Sequence, residues 1–456
     1  MLKKYLTYAF FLLAPTVAIG QDVVQDFNLA DTLTLKESIR IGLENNRTLK
    51  KAILDEEKAK YQRNEIRGAG LPQLSAYGNY NNFIDVFPQA VPGGLFGPSG
   101  PNDIDVIALG VPQSLQAGAQ LNQLIFSNSY LIGLKAAKTG EEFYRILTEQ
   151  SEESVIHEIS MNYLGVIQLE LQKENLLANI DQLESLEKIL QSQYENDLAR
   201  KVDLNRVKVN LTSIKSELEN LEITIYQQEG YLKLLMGIPV DTEINLDQSV
   251  ADTDQLIEAF EIQDFNILNR KNIQVLGVQQ QLYEYEYKNI KAAHQPQLVG
   301  FADFNKNAFS QDFDFIGQNK VWYQGFLIGL KLEIPIFDGM QTKYKAAQSK
   351  VNARQLNLDR LEAEDAAELE YKNALNKYYN SISTLKSLDG NLDLADEVLK
   401  ETTLLYKEGL SPLTDLLDAE TTQRQAQANY NNQLIQVRIA QLEILNSTGK
   451  ITNLLL

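Results

Sequence analysis

The chain has no cysteine, two histidines and one tryptophan among its 456 residues. Without cysteine there is no disulfide framework and no acylation site on a mature N-terminal Cys. His157 falls in a helical pattern with no Cys or second His near it, so it reads as a surface or inter-helix residue. His294 precedes a strand pattern and has no base or nucleophile beside it in sequence. No metal-ligand spacing, Gly-rich phosphate loop or Ser-His-Asp signature is present. The sequence therefore offers no site for an enzyme, a metal or a cofactor.

Positive charge is also in short supply. The 42 Lys and Arg against 61 Asp and Glu give a formal net charge of −19. The first 20 residues have the pattern of a secretory signal: a basic start at Lys3 and Lys4, an apolar run from Tyr5 to Ala14, and small residues at Ala18 and Gly20. Their removal leaves 40 − 61 = −21. A chain this acidic is a poor partner for nucleic acid or an anionic membrane face. Either a solvated surface or a cation-favouring passage fits. Beyond the signal no apolar run reaches the roughly 18 residues expected of a membrane helix. An exported chain of this kind is either soluble or inserted as a β-barrel, whose strands give a weaker sequence signal.

Eleven prolines divide what remains, and none falls between Pro112 and Pro239 or between Pro335 and Pro412. Long helices are allowed in both intervals. Val207, Leu211, Ile214, Leu218, Leu221 and Ile225 form a heptad seam, as do Leu176, Ile180, Leu183, Leu186 and Leu190. Leu388, Leu392, Ala395 and Leu399 repeat the pattern in the second half. Helices over about 130–195 and 340–405 would each span on the order of 100 Å.

Four shorter segments, near 71–83, 114–126, 297–309 and 321–335, have strand character and the length of tilted membrane strands. Soluble hairpins would show the same alternation. The Pro/Gly-rich stretch from Ile84 to Gln113 and the stretch from Ser310 to Lys320 are expected as loops. Trp322, Tyr323 and Phe326 suit either an aromatic belt or ordinary packing.

The two halves, about 30–240 and 255–450, resemble each other. Leu71-Pro72-Gln73-Leu74 matches Gln295-Pro296-Gln297-Leu298, and Ile125-Phe126-Ser127-Asn128 matches Ile336-Phe337-Asp338-Gly339. Each half reads helix, strand, strand, long helix, turn, helix. The turns fall near 194–204 and 406–418. Gly409 suits a left-handed helix end, Pro412 a restarted helix, and Ser411 or Thr414 its cap. In the first copy Asp197 and Arg200 occupy the Gly and Pro positions. Asp415 and Asp418 share one helix face, where they fit either a ring of carboxylates or a helix start that favours acids. Four strands cannot close a channel, so several chains must pool them if they form a barrel.

With Leu33-Thr34-Leu35-Lys36-Glu37-Ser38-Ile39, Leu43-Glu44-Asn45-Asn46 and Ile334-Pro335-Ile336-Phe337-Asp338-Gly339 added, the chain resembles the TolC-like outer membrane efflux proteins over essentially its whole mature length. The resemblance implies a mainly helical protomer that contributes four strands to a twelve-stranded barrel of a homotrimer in a Gram-negative outer membrane. It implies a long periplasmic tube with an equatorial insert at about 239–270. It also implies a passive exit duct served by a periplasmic adaptor and an inner-membrane pump. By the same resemblance Asp415 and Asp418 line the closed entrance, and Asp203 and Tyr406 help latch it. Ser411 stands where some relatives place the latch arginine, which would leave Arg200, Lys201 or Lys407 to serve. Leu198, Ala199, Gly409, Leu410 and Pro412 fall on the adaptor-docking turns. The competing reading of another class is a soluble periplasmic coiled-coil adaptor or scaffold.

Overall fold

The structure, a computed structural model, describes residues 32–94, 100, 102–108, 110–251, 260, 262, 264–315 and 321–455. The signal at 1–20, part of the equatorial insert with Asp252 and Asp254, and residues 316–320 of the second loop lie outside them.

Helix α1 (Leu35–Asn45) starts at a capping box in which Thr34 and Glu37 satisfy each other's backbone N–H groups. Asn46 accepts from the amides of Thr48 and Leu49 to start α2 (Arg47–Gly68), and its Nδ2 donates to the buried carbonyl of Leu235 at 2.7 Å. Strands β1 (Gln73–Asn82) and β4 (Gln113–Ser127) follow, with β2 (Pro88–Pro92) and β3 (Ile104–Ala108) between them. The proline-free interval becomes α3 (Asn128–Glu195), whose 68 residues span about 100 Å. After a turn comes α4 (Lys201–Met236). The second half runs α5 (Lys271–Ala292), β5 (Gln297–Ser310), β6 (Tyr323–Glu333), α6 (Gln341–Lys407) and α7 (Leu413–Ser447). Asp338, two residues before the N-cap Met340, accepts from Thr342 N–H in the first turn of α6 at 2.8 Å. Hydrogen bonds from Thr342, and then the His294 imidazole 3.0 Å away, hold the Asp338 carboxyl down at about 2. His294 is thus tied into the junction between strand and helix. Burial pushes the half-buried His157 below its ordinary value.

One expectation needs correction. Part of the stretch from Ile84 to Gln113 is a two-stranded antiparallel hairpin, with Pro88 opposite Ala108 and Pro92 opposite Ile104. A two-stranded ribbon consists only of edges, so proline costs it little pairing. The signal was present in the β-branched Ile104, Val106 and Ile107.

The main sheet is antiparallel in the order β1-β4-β5-β6. Its register places Leu74 opposite Leu121, Leu121 opposite Ala302 and Ala302 opposite Ile328. Ala76, Ala119, Phe304 and Phe326 form the next row on the same face. That face is apolar and largely exposed, with Leu74 at 76%, Ile328 at 74% and Phe326 at 71%. The opposite face is polar: Tyr77 donates to Asp303 at 2.9 Å, and Asn305 donates to Asp303 at 2.6 Å. A sheet with an apolar exposed face and a polar reverse is inside out for a soluble domain.

The main core lies away from the sheet, where α1, α3, α4, α6 and α7 meet around Ile39, Ile159, Met236 and Ile435. Tyr163 is fully buried there, and its hydroxyl lies 2.9 Å from Leu33 O and 2.8 Å from Asp247 O. α4 ends at Gly237, with φ 73°, where a Cβ would sit 2.4 Å from Asn45 O. Gly237→Ala is expected to cost about 1–3 kcal/mol, because it combines left-handed backbone strain with that clash. Thermal unfolding followed by circular dichroism would test this, and an unchanged midpoint would refute it. Among the described residues, no helix is long and apolar enough to cross a membrane.

Candidate functional site

Both helical hairpins, α3–α4 and α6–α7, turn at the end of the molecule remote from the sheet. The first is closed by the two heptad seams: Leu176, Ile180, Leu183, Leu186 and Leu190 bury against Val207, Leu211, Ile214 and Ile225. In the second, Ala395 is buried while Leu388, Leu392 and Leu399 stay half-exposed in the single chain. Leu413 and Leu416 of α7 join the apolar cluster of the first hairpin, which brings the two turns side by side.

The two turns share one backbone design. In the first, Leu198 N–H reaches Gln193 O at 2.7 Å and Asp197 N–H reaches Tyr194 O at 3.0 Å. In the second, Leu410 N–H reaches Leu405 O at 2.8 Å and Gly409 N–H reaches Tyr406 O at 3.0 Å. Both are helix ends of the Schellman type with a left-handed residue, Gly409 at φ 72° and Asp197 at φ 59°. The first copy, with Asp197 in the Gly position, therefore has the left-handed device as well. Asp is one of the few non-Gly residues that tolerate it. Gly409→Val is expected to weaken the second turn by about 1–2 kcal/mol. Amide exchange at Leu410 would report this, and an unchanged rate would contradict it.

Arg200 and Pro412 occupy equivalent N-cap positions, with φ/ψ of −80°/141° and −72°/157°. The capping expected of Ser411 or Thr414 does not occur. Pro412 supplies the extended N-cap conformation itself, and both hydroxyls donate to the stronger acceptor, the Asp415 carboxylate, at 2.9 and 3.4 Å. Asp203 and Asp415 each stand three residues after the N-cap, where the helix dipole favours a negative charge. Their surroundings differ. Asp203 is 8% exposed and takes a bidentate pair from Arg200 at 2.8 and 3.2 Å. Arg200 is therefore engaged within its own turn. Asp415 and Asp418 are exposed on the side of α7 opposite Leu413 and Leu416. Tyr406 is half-buried beside the first turn, and burial, followed by the Asp203 charge, pushes its phenol upward. Leu198 and Leu410 hold equivalent places at the extremities, exposed at 79% and 75%.

A groove of about 640 Å³ runs between the turns. Tyr406, Asp203, Ala199, Gly409, Ser411 and Pro412 line it, so most of the residues singled out from the sequence meet in one place. Asp415 and Asp418 are not among its walls. The groove also has Gln182 and Glu420, which sequence reasoning missed. Glu420 is 4% exposed and accepts from Gln182 Nε2 across the hairpin interface at 2.7 Å. A signal for this interface was legible. Gln168, Gln172, Asn175, Asn179 and Gln182 step by 4, 3, 4 and 3 along α3, an amide heptad beside the leucine one. Gln168 bonds Asn432 of α7 at 2.9 Å.

Residues 266–450 match the family model described as outer membrane efflux protein. No curated protein matches the chain. Several solved structures share its fold. The Campylobacter jejuni CmeC outer membrane channel is 16% identical with a TM-score of 0.69, over 91% of this chain and 85% of that one. The outer membrane protein VceC of Vibrio cholerae is 15% identical with a TM-score of 0.67, over 90% and 96%. The open state of the Neisseria gonorrhoeae MtrE outer membrane channel is 18% identical with a TM-score of 0.68, over 91% and 88%. At these identities the likeness is one of fold.

Proposed function

We propose that this chain, a TolC-like outer membrane efflux protein, is the passive exit duct of a tripartite efflux or type I secretion system. The sheet carries the reading. Its apolar face is exposed and its polar face is reversed, as a strand set does when lipid lies outside and water inside. β1 and β6 are each paired on one side only, and a bilayer does not tolerate open strand edges. Three copies would close twelve strands and remove both open edges of this sheet. The long hairpins below the sheet would then continue the lumen as a helical tube in the periplasm.

In such a trimer Asp415 and Asp418, exposed on α7, would supply up to six carboxylates around the axis. Leu198 and Leu410, with Ala199, Gly409 and Pro412 beside them, are the surfaces offered to a periplasmic adaptor. An inner-membrane pump would provide the energy. The latch is drawn from Asp203, Tyr406 and Ser411, with Asp203 already neutralised by Arg200.

Membrane fractionation with native mass measurement tests this. The full chain should co-fractionate with outer membrane and extract in detergent as a trimer. A wholly soluble monomer would overturn the duct and favour a soluble adaptor or scaffold.

A further inference from the structure

The contact between the two hairpins is more polar than the contact inside the first. Leucine and isoleucine close the first hairpin on itself, whereas α3 meets α7 through amides and one acid beside the apolar contact of Leu413 and Leu416. That acid, Glu420, projects from the same side of α7 as Leu416 into the base of the groove between the turns. Gln182 satisfies its Oε1, but Oε2 is buried with no hydrogen-bond partner among the described residues. Asn175 Nδ2 and Asn179 Oδ1, on the same α3 row as Gln182, are also buried without partners. Apolar seams hold whether or not a proton is present. A carboxyl enclosed with a single donor does not, because its ionised form needs more donors than this one.

We propose that Glu420 is a proton-operated latch residue: as a neutral acid it lets α3 and α7 pack at the tip, and on ionisation it drives the hairpins apart. The groups around it do not remove this bias. α3 offers the neutral Gln182 and Ser185, and the start of α4 offers Arg200 already paired to Asp203. The end of α6 offers Thr403, Tyr406 and Lys407. Arg424, one turn along α7, attracts the carboxylate, but burial outweighs it together with Gln182 and raises the carboxyl from its ordinary 4.5. Separated hairpins return the group to water and to that ordinary value. The packed tip therefore binds the proton more tightly than the parted tip. Packing is fully favoured below about 4.5, the group's ordinary value, and weakens as the pH rises above it. This deepens the exit-duct reading by naming what regulates its gate.

The acids Asp415 and Asp418 would repel each other in the same direction of pH, so the test starts from a D415N/D418N chain. The protein has no cysteine of its own. Ser192→Cys and Glu408→Cys, both at exposed positions, can therefore carry the only spin labels. Pulsed electron resonance should show the population with parted tips rising several-fold between pH 5 and pH 8. Glu420→Gln, which has the same shape and cannot ionise, should hold the short distance at both pH values. Glu420→Leu should do the same. An equal rise with pH in either variant would overturn the latch. Because the distances need no conductance, a trimer that fails to conduct would count against the duct and leave the latch readable.

Discussion

Alanine at both Asp415 and Asp418 is expected to weaken divalent-cation block of the channel by about tenfold or more. Each copy of α7 begins just after its N-cap Pro412, and both carboxylates lie on its exposed side, away from Leu413 and Leu416. Assembled three-fold, they would give a narrow ring of like charge facing water rather than protein. In water a unit charge near 4 Å contributes about 1 kcal/mol to a bound ion, and more where walls exclude solvent. Losing several such charges amounts to a tenfold effect at the least. Asp415 also accepts from Ser411 and Thr414, so its single replacement should loosen the helix start as well. Asp418→Ala alone isolates the electrostatic part. Single-channel recording with the cation on the periplasmic side makes the measurement, and an unchanged block would remove both residues from the pore.

Tyr163→Ala should destabilise the helical body by about 3–5 kcal/mol, the cost of emptying a fully buried aromatic site. Tyr163 does more than fill space. Its hydroxyl meets the carbonyls of Leu33 and Asp247 where those segments run side by side, with Leu33 N–H bonded to Asn245 O at 2.7 Å and Asp247 N–H to Leu33 O at 2.9 Å. Burial pushes the phenol above its ordinary range, so it remains a donor at every physiological pH. Tyr163→Phe keeps the volume and loses the hydrogen bonding, at about 0.5–1.5 kcal/mol. Thermal unfolding orders the two variants. Protease cutting near residue 33 shows whether the N-terminal segment detaches first. Equal losses from both would mean that the hydroxyl, and not the ring, fixes this core.

Several features were legible in the chain before any coordinates. Proline-free intervals and heptad steps give α3 and α6 their extents because helix period and helix breakers are local properties. Gly409 announced a left-handed helix end for the same reason. Asp197 did not, since a residue that merely tolerates that conformation leaves no mark in sequence. Ser411 and Thr414 looked like caps because their types are right. Asp415 competes for the same hydroxyls, and only the turn's geometry shows that it wins.

Sequence by itself determined the helix period, the strand lengths and the places of the two turns, all of which follow from interactions a few residues long. Tertiary structure alone decided which strand face is apolar across four strands, because register is a relation between segments far apart in the chain. It alone brought Asp203 to Tyr406 and enclosed Glu420 behind Gln182. A glutamate on a polar helix is unremarkable in sequence, and its burial exists only once the other hairpin, 238 residues away at Gln182, lies against it.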